Sequence, residues 1–189
     1  EEKLRSDPAN PFTKASEEMH PEDKTEDILE FSDLLKEVTE EIQKKVVGEK
    51  NKIKTIFLVS CGRLVKNHQD KTNSNLMICA NSGAGKDFVC RNTLKIWNEE
   101  SLEHYTRISP TALDHYEFNW NDKILYLEDM DNAILNSNTF KTFTSSGSST
   151  LITAQNKNIA NKKIIIGKPI VILTTAAATP NKELLRRFP

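Results

Sequence analysis

The sequence lacks a basic excess. Its 26 Lys and Arg stand against 27 Asp and Glu, a net charge of −1. No global field draws such a chain to nucleic acid, so any contact of that kind must come from a local patch. Paired cysteines are missing too. Cys61, Cys79 and Cys90 have no C-x-x-C spacing, and two of them fall in or beside the expected core. They read as buried, reduced thiols of a cytosolic-type protein. The four histidines, His20, His68, His104 and His115, lack the spacing of paired metal ligands, which argues against a structural metal. No apolar run approaches the ~20 residues of a membrane-spanning helix, and no secretory signal stands out. What remains is a chain of 189 residues, 37% hydrophobic and 28% charged. That is room for one α/β domain with a tail.

Residues 1–21 carry Pro8, Pro11 and Pro21 among charges, the composition of a linker or tail. Over 22–47, Ile28, Phe31, Leu35, Val38, Ile42 and Val46 recur every three or four positions. That spacing predicts an amphipathic helix, stopped by Gly48. The core is expected over 48–189. A second helix should run from Glu49 to about Lys66, with Ile53, Ile56, Phe57, Ser60 and Leu64 on one face, and 67–75 should form a loop. Strands are expected at Leu76–Ala80, Tyr105–Ser109, Ile124–Leu127 and Ile170–Thr174, a hairpin with arms Leu151–Ala154 and Lys163–Ile166, and helices at Asp87–Trp97, Thr139–Phe143 and Lys182–Arg187. Apolar strands alternating with helices predict a parallel sheet covered on both faces, with ligands at the carboxyl ends of the strands.

The chemistry concentrates after the first strand. Leu76-Met77-Ile78-Cys79-Ala80 runs into Asn81-Ser82-Gly83-Ala84-Gly85-Lys86-Asp87-Phe88 and a helical pattern. Strand, small-residue loop, Gly-Lys and helix is the arrangement that holds a nucleoside triphosphate. Glycines let backbone N–H groups curl around phosphate oxygens, and the helix N-terminus adds positive charge. Lys86 would reach the β and γ phosphates of ATP. The usual pattern, G-x-x-x-x-G-K-[ST], has two departures here: Ala80 replaces the first glycine, and Asp87 replaces the hydroxyl residue that ligates Mg²⁺. Ala80 is a mild change if its φ is negative. A carboxylate also ligates Mg²⁺, but Asp87 adds charge beside the phosphates. The bland alternative is a glycine turn that binds nothing.

Three further segments extend this reading. Ile124-Leu125-Tyr126-Leu127-Glu128-Asp129 is an apolar strand ending in two acids, the metal and water side of an NTPase. By position Glu128 would serve the metal with Asp87, and Asp129 the attacking water. Asp131 is a further acid nearby, and an acidic turn is the alternative. Ile170–Thr175 ends in Thr174 and Thr175, either of which could orient water and sense the γ-phosphate, or simply cap a strand. Leu184-Leu185-Arg186-Arg187-Phe188 offers an arginine, preferentially Arg187, to the γ-phosphate of a neighbouring subunit; the alternative is a pair of solvated arginines. Finally, the hairpin over Leu151–Ile166 presents a polar tip with Lys157, Lys162 and Lys163. In a ring pore these lysines would meet DNA phosphates; otherwise they are edge lysines that block aggregation.

With these motifs in place the chain resembles a known family. Val47-Gly48-Glu49-Lys50-Asn51-Lys52-Ile53-Lys54, leading through Leu58 and Gly62 to the phosphate loop, looks like the start of the ATPase core of minichromosome maintenance (MCM) helicases. The lysine hairpin before Ile170 is similar to the DNA-contacting hairpin of that AAA+ branch. Leu185-Arg186-Arg187-Phe188 resembles its Leu-Ser-Arg-Phe finger segment, aligning the finger with Arg187. Arg107-Ile108-Ser109-Pro110-Thr111-Ala112-Leu113, followed by Lys123–Asp129, resembles helicase domains attached to primases in phages and plasmids. The resemblance covers about 46–189 and implies an α/β P-loop AAA+ core with a β-hairpin insertion and an N-terminal helix. It further implies ATP and Mg²⁺ as cofactors, ATP sites between subunits of a hexamer, DNA (single-stranded, in the pore) as partner, and a primase module as a candidate further partner. The expected setting is the cytoplasm, in a prokaryotic, archaeal, viral or plasmid replication system, with no membrane. Asp87, the Glu128-Asp129 order and Thr174 or Thr175 in place of asparagine depart from the family. The C-terminal lid and any primase or zinc module are expected outside this sequence. The leading expectation is a DNA helicase or translocase. An AAA+ loader or regulator with ATP as an assembly switch, and a degenerate non-hydrolysing subunit, are the alternatives.

Overall fold

A computed structural model of the chain describes residues 33–65, 75–109, 112–115, 119–145, 149–156, 159–176 and 182–188. The expected tail, the first turns of the 22–47 helix, most of the 67–75 loop and Lys157 lie outside the described residues. The chain divides into two compact units, 1–40 and 41–189. Of the first, residues 33–40 are described; they open helix α1 (Leu34–Gln43), where Thr39 Oγ1 donates to Leu35 O.

The second unit is α/β. Four strands form an all-parallel sheet: β1 (Leu76–Cys79), β2 (Leu102–Tyr105), β3 (Ile124–Leu127) and β6 (Ile170–Thr175), in the order β1-β6-β3-β2. The central strands β3 and β6 are buried along their whole length, as continuous apolar runs require when both faces are covered. Side chains alternate between faces. Leu125, Leu127, Val171 and Leu173 join Trp120, Met130, Ile134, Leu135, Phe140, Phe143 and Phe188 in one core. That core gathers α5 (Asn132–Leu135) and α6 (Asn138–Ser145) onto one face. The opposite face, with Tyr126 and Ile172, is covered by α2 (Lys50–Cys61) and α3 (Lys86–Leu94), which pack on each other through Ile53, Ile56, Val89, Cys90 and Leu94. Short helices α4 (Ala112–His115) and α7 (Lys182–Leu185) complete the set.

The second strand differs from expectation. It starts at Leu102, not Tyr105, because Leu102 pairs with Ile124 and the ladder ends where Tyr105 meets Leu127. Residues 106–109 therefore lie beyond the carboxyl end of the sheet. The hairpin also differs. Its arms are longer, β4 (Ser149–Asn156) and β5 (Ile159–Ile165). Lys162 and Lys163 are not at the tip but within β5, opposite Ile152 and Leu151.

Candidate nucleotide site at the carboxyl ends of the strands

β6 lies between β1 and β3, with Cys79 level with Thr175 and Leu127 level with Leu173. The loop after β1, the acids after β3 and the threonines ending β6 therefore share one rim. Asn81–Gly85 are exposed, and the loop closes on itself through Ala84 N–H to Asn81 O at 3.2 Å. Gly83 and Gly85 have φ of +80° and +74°, and a Cβ at either would point into open space. These glycines are kept for backbone conformation rather than clearance, since L side chains rarely adopt positive φ. Gly85 is the residue before α3, and Ala80 is not among the residues with positive φ, so alanine fits there without strain.

Lys86 opens α3 and is buried. Its Nζ lies 3.2 Å from Asp129 Oδ1 and 3.5 Å from Asp87 Oδ2. Burial pushes its pKa down, but the hydrogen bond and charge of Asp129 and the charge of Asp87 outweigh that, and the net direction is up. Lys86 is thus a committed cation among carboxylates, where phosphate oxygens could replace them. The Thr174 hydroxyl donates to Asp87 Oδ1 and accepts from Asp129 N–H at 2.9 Å. Met130 N–H donates to Thr174 O at 2.9 Å, and Thr175 Oγ1 donates to Met130 O at 2.8 Å. Thr174 therefore faces the acids, whereas Thr175 ties β6 to the segment after β3. Asp129 sits at φ +53° with an exposed carboxylate. Phe88 is half exposed on the outer side of α3. Asp131 serves the fold instead, capping α5 by accepting from Ile134 N–H at 3.0 Å.

Glu128 is held by groups that the sequence pattern did not single out. His104 Nε2 lies 2.9 Å from Glu128 Oε2, and Arg91 Nε 3.9 Å from the same oxygen. The His104 ring stacks on Tyr126 at 4.7 Å. Placing the second strand at 105–109 hid His104. With β2 at 102–105, it is the cross-strand partner of Tyr126, two residues before Glu128. Beneath the loop, a cavity of about 100 Å³ is lined by Lys52 and Ile56 of α2, Ile78, Cys79 and Ala80 of β1, Ala84, Lys86 and Val89. Cys79 is exposed rather than buried, because it ends a strand at the border of the sheet. Cys90 is buried, and desolvation raises its thiol to about 12, so it remains protonated.

Arg187 lies elsewhere. Its guanidinium donates to Lys141 O and, at 2.8 Å, to Ser145 Oγ near the end of α6. Asn75, just before β1, bonds Arg187 O at 3.2 Å, Thr144 O at 3.1 Å and Val171 N–H at 3.1 Å. Arg187 therefore sits at the amino end of β1, and the phosphate loop follows the carboxyl end.

Among the described residues, no three or more His, Cys, Asp and Glu side chains form a ready metal cage. Mg²⁺ beside phosphates needs none, because it takes one or two carboxylates with waters and phosphate oxygens. Asp87 and Glu128, with the Thr174 hydroxyl, fit that donor set. Among the described residues, no helix is long and apolar enough to cross a membrane.

No protein-family model matches the chain, and no curated protein is significantly similar to it. Solved structures that match include the apo structure of the NrS-1 C-terminal region, at 17% identity and a TM-score of 0.41 over 74% of this chain and 33% of that one. The A-form apo structure of the same region matches at 17% identity and a TM-score of 0.39 over 77% of this chain and 33% of that one. The chain thus spans about a third of the length of these structures.

Proposed function

We propose that this chain is the ATPase module of a ring-forming DNA translocase or helicase in a replication system. One observation carries the reading: β6 between β1 and β3 brings Lys86, Asp87, Glu128, Asp129 and Thr174 to one rim, with Lys86 Nζ 3.2 Å from Asp129 Oδ1. Backbone amides of Asn81–Gly85 and the N-terminus of α3 receive the phosphates. Lys86 exchanges its carboxylate partners for phosphate oxygens. That exchange frees Asp129 to take a proton from the attacking water, while Thr174 orients its backbone. Asp87 and Glu128 would hold Mg²⁺, which would supply positive charge against the transferred phosphoryl group. Arg187 of a neighbouring copy supplies positive charge from the far side, and the β4–β5 hairpin, with Lys157, Lys162 and Lys163, carries DNA.

The deciding experiment is steady-state ATP hydrolysis by the full-length protein, with and without single-stranded DNA. Hydrolysis is expected to rise with DNA, to vanish in Lys86→Ala, and to fall about 10²–10⁴-fold in Asp129→Asn, the range of a general base. Charge reversal at Lys157, Lys162 and Lys163 should remove the DNA stimulation. A rate unchanged by Lys86→Ala sinks the scheme. A second reading is favoured by Asp87, which stands where the loop normally carries a hydroxyl. In it the chain is a loader or a degenerate subunit, and ATP drives assembly without turnover. No hydrolysis with ATP-dependent assembly would select it.

A further inference from the structure

Asp87 and Thr174 are joined by a hydrogen bond across two elements, the start of α3 and the end of β6. We infer that they act as one unit: Thr174 supplies from β6 the hydroxyl that the loop lacks, and Asp87 makes nucleotide binding conditional on a divalent cation. This rests on the nucleotide reading above. The charges at the rim carry the argument. Asp87, Glu128 and Asp129 bring three carboxylates, against Lys86 and Arg91. A metal-free triphosphate would meet a surplus of negative charge, while a cation seated between carboxylates and phosphates reverses the sign. With serine at 87, one of the three repulsions disappears.

A second, independent feature points to a ligand at this place. The Tyr126 hydroxyl is buried, with no hydrogen-bond partner among the described residues. It lies beside Cys90, Thr174, Asp87 and Glu128. A buried hydroxyl left unpaired is costly, and a water held at the site would satisfy it. Thr174 meanwhile fixes the Asp87 carboxylate from below and the Asp129 backbone from the side. It is a positioning residue for both acids.

Titration of the full chain with a fluorescent ATP analogue, in Mg²⁺ and in EDTA, tests this. The native chain should bind at least about tenfold more weakly in EDTA, the scale set by one unit charge a few ångströms away. Asp87→Ser and the isosteric Asp87→Asn should close most of that gap. Thr174→Val should raise the Mg²⁺ needed for half-maximal binding several-fold. Added to Asp87→Asn it should have a smaller effect than it has alone, and Thr174→Ser, which keeps the hydroxyl, should show the native requirement. Melting temperatures identify any variant that has not folded, and Asp87→Asn is small enough a change to keep the inference falsifiable. Equal gaps in the native chain and in Asp87→Asn overturn the inference and leave the nucleotide reading intact. No binding by the native chain in either condition overturns both.

Discussion

Lys168 is 4% exposed, and its ammonium has Ser145 O at 3.4 Å. Burial lowers its pKa from 10.5 to about 8. The sign of the consequence follows from proton counts. Between about pH 8 and 10.5 the unfolded chain keeps a proton that the folded chain has released, so stability rises as pH climbs through that window. Below it both states are protonated, and the fold bears the whole cost of a buried cation, at most about 3–4 kcal/mol at ~1.4 kcal/mol per pH unit of pKa difference. Lys168→Met should therefore be more stable than the native chain at about pH 7, and the difference should shrink toward about pH 10. Urea midpoints measured across that range check it; a difference independent of pH would mean that Lys168 is not buried as a cation. Residues of this kind mark the limit of sequence reading. Lys86 was legible as a candidate because Gly-Lys after an apolar strand has a known chemical use. Lys168, Tyr126 and His104 were not, because their environments are made by residues far away in the chain.

Gly167 shows how elements are joined in ways the sequence conceals. The hairpin is tied to the segment before β3 by a parallel bridge between Asn119 and Ile166, with Trp120 N–H donating to Ile166 O at 2.9 Å. Gly167 follows at φ +83°, and a Cβ there would lie 2.5 Å from Asn121 N and 2.6 Å from Asn121 Oδ1. Backbone cannot yield as a side-chain tip does. Gly167→Ala should cost about 1–3 kcal/mol from the left-handed conformation alone, with the clash in addition. Chemical denaturation reads the loss, and limited proteolysis should show earlier cleavage within 149–165 than Gly83→Ala produces. The central strands were legible because Ile124–Leu127 and Ile170–Thr174 are unbroken apolar runs. Elements whose ends depend on pairing were displaced: the start of β2 moved from Tyr105 to Leu102, and the hairpin arms became Ser149–Asn156 and Ile159–Ile165. Helix α5 was missed because so short a helix carries no period; its signal was the Asp131 cap, which the acidic motif masked as chemistry.

For the ring proposed above, the decisive matter is where Arg187 would act. The segment from Asn75 to Ala80 is extended, at about 3.3 Å per residue, so Arg187 and the phosphate loop are separated by roughly 16 Å of strand. That separation suits action on another copy's site rather than its own. Yet the guanidinium is also partnered at the end of α6, through Lys141 O and Ser145 Oγ, where a cation complements the helix dipole. The two roles make different predictions, and loss of hydrolysis in Arg187→Ala cannot separate them. Mixing can. In a ring assembled from Arg187→Ala and Lys86→Ala subunits, each inactive alone, an intact site forms wherever the loop of the first meets the arginine of the second. Hydrolysis should return on mixing, to as much as about a quarter of the native rate for random assembly if one interface turns over independently, since an arginine of this kind is worth about 10³-fold or more. If Arg187 only caps α6, the Arg187→Ala subunits are weakened wherever they sit. Their melting temperature falls with that of Ser145→Ala, and mixing restores no hydrolysis beyond the sum of the parts.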